Sequence, residues 1–87
     1  MSLENQFINA QQRVNNLTRR PSDRQLLELY GYYKQATLGD IAESRPGGFD
    51  FKGRAKWEAW NQRRGLSREE AMQRYMEVVE ELERELG

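Results

Sequence analysis

Leu3, Phe7, Ala10, Val14 and Leu17 recur at alternating intervals of four and three, which draws one apolar stripe along a helix from about Glu4 to Leu17. Pro21 closes that segment. Ser22 and Gln25 then stand at capping-box spacing, and Asp23 suits the positive end of a helix dipole, so a second helix begins near Asp23. It carries Leu26, Leu27, Leu29, Tyr30, Tyr33 and Ala36 over a broad apolar arc and stops at Gly39. Gly31 in its interior costs about 1 kcal/mol relative to alanine, which fits either close packing or a tolerated defect. From Gly39 to Phe51 the stretch GDIAESRPGGFDF breaks every period. An ordered connection of about a dozen residues is expected there, with Ile41, Phe49 and Phe51 tucking it onto the domain. A third helix follows from Phe51 to Arg64, with Phe51, Ala55 and Ala59 on one line and Trp57 and Trp60 three apart. Gly65 ends it, and Ser67 with Glu70 makes a second capping box that opens a fourth helix. Ala71, Met72, Tyr75, Met76, Val79, Leu82 and Leu86 form its stripe, the methionines reading as core filling. No segment alternates as a strand would. The pattern predicts an all-α, four-helix domain, and the long second connection favours a skewed arrangement with a surface bowl over a strict up-down-up-down bundle.

At 87 residues and 10.3 kDa the chain is expected to form a single domain, residues 1–87, with one thin core and no deep cavity. A sizeable ligand must then lie partly on the surface. There is no cysteine and no histidine, which removes disulfides, thiolate metal sites and the commonest general base. An enzyme is disfavoured on that ground. A thioesterase using Glu58 or Asp50 as base, for instance, would lack an oriented nucleophile or a metal, so no catalytic residue, metal ligand or cofactor is expected. Charge is balanced, with 14 basic and 14 acidic residues, but unevenly placed. Lys52, Arg54, Lys56, Arg63 and Arg64 face only Glu58 between Phe51 and Arg64, whereas Glu77, Glu80, Glu81, Glu83 and Glu85 crowd the end. Zero net charge and an acidic tail argue against a nucleic-acid partner. No apolar run approaches the roughly 20 residues of a membrane span. The start, MSLENQFINAQQ, lacks the regions of a secretory signal. The expectation is a soluble, cytoplasmic monomer without stable membrane insertion.

Aromatic and basic residues concentrate in Leu29 to Asp40, LYGYYKQATLGD. On a helix Tyr30, Tyr33 and Lys34 share neighbouring faces, with Tyr32 roughly opposite. Two readings stand at this level: core tyrosines beside a solvated lysine, or one wall of a ligand site. Trp57 and Trp60 beside basic residues pose the same choice between core and a cationic, aromatic patch. Gly47-Gly48 lacks the pattern of a phosphate-cradling loop, and no strand precedes it. A small helical protein-interaction module is the alternative to a small-molecule binder.

Taken together, YGYYKQATLGD and ESRPGGFDFKGRAKWEAWNQRRGLSREEAMQRYMEVVEEL resemble the acyl-CoA-binding protein family in motif order, spacing and length. The most specific parts are Tyr30, Tyr33, Lys34, Gln35, Ala36 and Thr37, then Arg45-Pro46-Gly47, Ala55-Lys56-Trp57, Ala59-Trp60-Asn61 and Tyr75. The resemblance implies an up-down-down-up four-helix bundle that binds medium- and long-chain acyl-CoA thioesters in a shallow bowl, as an intracellular pool former and carrier. It further implies that Tyr30 and Tyr33 hold the adenine and nucleotide end, that Lys34 and Lys56 bind phosphate, and that Tyr75 binds from helix four. A basic residue that relatives often use on the first helix corresponds to Asn15 here, with Arg13, Arg19 and Arg20 nearby.

Overall fold

The computed structural model describes residues 2–87, in which four helices follow one another: α1 (Leu3–Asn15), α2 (Asp23–Leu38), α3 (Phe51–Asn61) and α4 (Arg68–Leu86). Each begins where a side-chain oxygen takes up a first-turn N–H that would otherwise lack a partner. Ser2, Ser22, Asp50 and Ser67 accept from the backbone of Asn5, Gln25, Gly53 and Glu70. At Ser22 and Ser67 the reciprocal bond is also made, so both capping boxes form. α1 and α3 end sooner than their periodicity predicts, because Leu17 and Arg64 lie in the turns that follow. Leu17 nevertheless packs against the core, which is what its place on the stripe recorded.

Side-chain contacts fix the direction of each helix. Phe7 meets Tyr75, Arg13 bonds Glu83, and the Thr18 hydroxyl donates to the Leu86 carbonyl, so α1 and α4 run parallel. Tyr30 lies beside Lys56 and the Trp60 indole N–H donates to the Gly39 carbonyl, so α2 and α3 are parallel too. Gln25 near α2's start reaches Glu85, while Gln35 near its end reaches Leu66, so α2 and α4 are antiparallel. The order is up-down-down-up, the all-α arrangement that the resemblance implies.

The core lies where α1, α2 and α4 meet, and holds Phe7, Ala10, Leu29, Ala36, Ala71, Tyr75, Val78, Val79 and Leu82. Met72 and Met76 pack against it half-buried. α3 stands outside this cluster and packs on α2 alone. Gly31 is what allows it: a β-carbon there would drive into the Ala59 carbonyl, so the glycine is the close approach of two helices. The result is a slab of 39 × 28 × 15 Å.

The connection from Gly39 to Asp50 is held by α3. The indoles of Trp57 and Trp60 donate to the carbonyls of Glu43 and Gly39 at 2.8 and 2.9 Å, and the Arg64 guanidinium donates to that of Ile41 at 2.8 Å. Only part of the expected tuck occurs. Ile41 is buried, but Phe49 is 91% and Phe51 69% exposed. The side chains that pin the loop reach Gly39, Ile41, Glu43 and, through Glu58, Arg45, and Phe49 and Phe51 flank the helix cap Asp50 beyond their reach.

Candidate functional site

An open groove of about 590 Å³ runs between α2 and α3. Leu26, Leu27 and Tyr30 line it from one helix, and Phe51, Lys52, Ala55 and Lys56 from the other, with Arg20 and Asp23 at one edge. The spacing of four in each set is what puts these residues on one face of each helix. The apolar members are half-buried or exposed, so Leu27 is groove wall while its neighbour Leu29 is core.

At one end of the groove two ammonium groups surround one ring. The Lys34 Nζ lies 5.9 Å and the Lys56 Nζ 5.4 Å from the centroid of Tyr30, and Lys34 is also 4.9 Å from the Trp60 ring. Aromatic faces attract cations, so the ring holds both ammonium groups around itself. Neither lysine has an acidic partner among the described residues. A polyanion placed over Tyr30 would pair with both charges and accept hydrogen bonds from them. The Tyr30 hydroxyl makes no hydrogen bond within the protein among the described residues, so it remains available as a donor.

Tyr33 is one turn further along α2 and opens onto a different groove, of about 580 Å³, with Phe7, Ile8 and Gln11 of α1 and Arg68 and Met72 of α4. It is 39% exposed and its ring stacks on Phe7 with centroids 6.2 Å apart. Phe7 in turn meets Tyr75 edge to face at 5.1 Å. Tyr75 lines neither groove and is only 6% exposed. Burial, with Tyr33 nearby, pushes its hydroxyl above the ordinary tyrosine value, so it stays protonated at neutral pH. The structure therefore brings Tyr30, Lys34 and Lys56 together, places Tyr33 beside them on the same helix, and sets Tyr75 beneath Tyr33 behind Phe7.

Of the basic residues of the first segment, only Arg20 touches the groove, at its edge. Arg13 forms a two-pronged ion pair with Glu83 of α4, Arg19 donates to the Glu85 carbonyl, and Arg20 pairs with Asp23 at 3.2 Å. Gln35 has a structural task that helical spacing does not reveal. It is fully buried, and its amide nitrogen donates to Asp40 and to the Leu66 carbonyl at 2.8 and 2.9 Å. The Gly65 N–H also donates to Asp40, at 2.8 Å. This knot ties the end of α2 to the turn before α4. Lys34 and Thr37 stand close beside Gln35 in the sequence and give no sign of that burial. Among the described residues no cluster of carboxylates could hold a metal ion, and no helix is long and apolar enough to cross a membrane.

A family model described as acyl-CoA-binding protein matches residues 4–79. The chain is 51% identical over 77 residues to an acyl-CoA-binding protein homolog of Drosophila melanogaster, a match that covers 88% of this chain and 90% of the relative. The crystal structure of acyl-CoA-binding protein 2 of Oryza sativa superposes with a TM-score of 0.90 at 40% identity, over 97% of this chain and 93% of that one. That of an acyl-CoA-binding protein of Moniliophthora perniciosa gives 0.80 at 43% identity, over 90% and 76%.

Proposed function

The chain belongs to the acyl-CoA-binding protein family, and from that premise we propose that it binds medium- and long-chain acyl-CoA thioesters as one domain. It acts as a cytoplasmic, monomeric pool former and carrier rather than as a catalyst. The observation that carries this reading is the pair of lysines around Tyr30 at the head of an apolar groove. An acyl-CoA is a polyphosphorylated nucleotide joined to a hydrocarbon chain, so its binder needs fixed cations and an aromatic surface beside a hydrophobic trough. Lys34 and Lys56 take the phosphates. Tyr30 and Tyr33 hold the adenine and nucleotide end, with Phe7 behind Tyr33 and Tyr75 bracing Phe7 from the core. The chain lies against Leu26, Leu27, Phe51 and Ala55.

The test is a calorimetric titration at one ionic strength with coenzyme A, octanoyl-CoA, palmitoyl-CoA and palmitate. Each buried methylene contributes about 0.8 kcal/mol, so two further carbons strengthen binding on the order of tenfold until the groove is filled. Coenzyme A and palmitate, each with half of the ligand's features, bind far more weakly. Equal affinity for coenzyme A and palmitoyl-CoA overturns the acyl-carrier reading in favour of a nucleotide-binding or protein-docking role.

A further inference from the structure

The two most exposed large apolar side chains among the described residues stand together at the tip of the α2–α3 connection. Phe49 and Phe51 meet edge to face with centroids 6.3 Å apart, and neither is covered by the rest of the protein. Between Arg45 and Lys56 the chain carries the cations Arg45, Lys52, Arg54 and Lys56 and one acid, Asp50. That acid is engaged in capping α3, its carboxylate accepting from the Gly53 N–H at 3.0 Å. Arg45 is paired with Glu58, whereas Lys52 and Arg54 have no acidic partner among the described residues. Phe51 and Lys52 also line the groove assigned to the acyl chain, so the aromatic tip stands at its open end.

We propose that this tip docks the protein on an anionic lipid bilayer, with the rings of Phe49 and Phe51 at headgroup level and Lys52 and Arg54 against lipid phosphates. Two rings cover far less than the roughly 800 Å² that a protein partner of ordinary affinity buries on each side. A bilayer interface accepts such a small anchor, because aromatic side chains favour the headgroup region and an anionic leaflet attracts nearby cations. The inference rests on the acyl-CoA reading of the groove. A hydrocarbon chain leaving the bilayer would enter the groove at the tip without crossing water.

The experiment is flotation of the full chain with phosphatidylcholine vesicles made with and without phosphatidylserine, at low and high salt, beside palmitoyl-CoA titrations in free solution. Recovery with the anionic vesicles is expected, falling in high salt as surface charges are screened. Phe49→Ser lowers it several-fold and Arg54→Ala about fivefold, the value of one basic residue near an anionic surface. Both variants keep the parent's affinity for palmitoyl-CoA, since neither residue lines the groove. The proposal is overturned if the parent fails to float, or if Phe49→Ser floats as the parent does. It is equally overturned if the parent stays in solution and self-associates through a contact that Phe49→Ser abolishes, since the tip then meets a second copy. Vesicle binding through the tip without palmitoyl-CoA binding in solution would leave the docking surface standing and remove the carrier reading.

Discussion

Lys34 and Lys56 act as a pair, each ammonium within 6 Å of the ring they share, so removing either should unbalance the site. A hydrogen bond to a charged group contributes about 1.5 to 3 kcal/mol, and Lys34→Ala and Lys56→Ala should each weaken palmitoyl-CoA binding by that much while leaving the unfolding midpoint nearly unchanged. Isothermal titration of both variants checks it, and parental affinity in both would show the lysines to be solvated charges. Asp40 illustrates a residue whose charge serves the fold. The Gly65 N–H, and after it the Gln35 amide, hold its carboxyl below the ordinary 3.8. Because the folded value lies below the unfolded one, the stabilisation is complete above 3.8 and is lost as pH falls through the depressed value. Asp40→Asn should therefore melt below the parent at neutral pH, and the gap should close on acidification from about pH 6 toward pH 2. A gap that stays constant across that range would mean that the carboxylate charge contributes nothing.

Among elements, α2 bears the most divided duty, because consecutive leucines on it face different tasks. Leu29→Ala should cost about 2 to 5 kcal/mol of stability, since that side chain is 5% exposed and its loss leaves a cavity in the core. Leu27→Ala should barely move the unfolding midpoint and instead lower affinity for long-chain ligands, because Leu27 lines the groove. Chemical denaturation and palmitoyl-CoA titration of the two variants separate these effects, and a larger stability loss for Leu27→Ala would reverse the assignment. The sequence announces the helices well, because caps and stripes are local: Ser22 with Gln25 and Ser67 with Glu70 are recognisable within one turn. What it cannot announce is contact across distance. Whether Gly31 is a defect depends on where Ala59 comes to lie, and whether Arg13 is free to meet a ligand depends on Glu83. Tyr30 and Tyr33 look equivalent on a helical projection and part company only when α3 packs along one flank of α2 and Phe7 of α1 stacks on Tyr33 at the other. Phe49 and Phe51 have the composition of buried residues, yet the side chains that pin their loop stop short of them.

At the scale of the molecule, a three-helix core carries a fourth helix on one flank, joined through α2 and through the loop that α3 itself secures. Both tryptophans of the chain belong to that flank. Their emission is consequently first an optical report on the docking of α3 against α2, whereas the interior built by α1, α2 and α4 holds no tryptophan. Lys34 already stands 4.9 Å from the Trp60 ring, so any anion that draws the ammonium away changes the field around that indole. Under the proposed binding role, Trp60 is an unlabelled fluorescence gauge of ligand occupancy, mounted beside the groove.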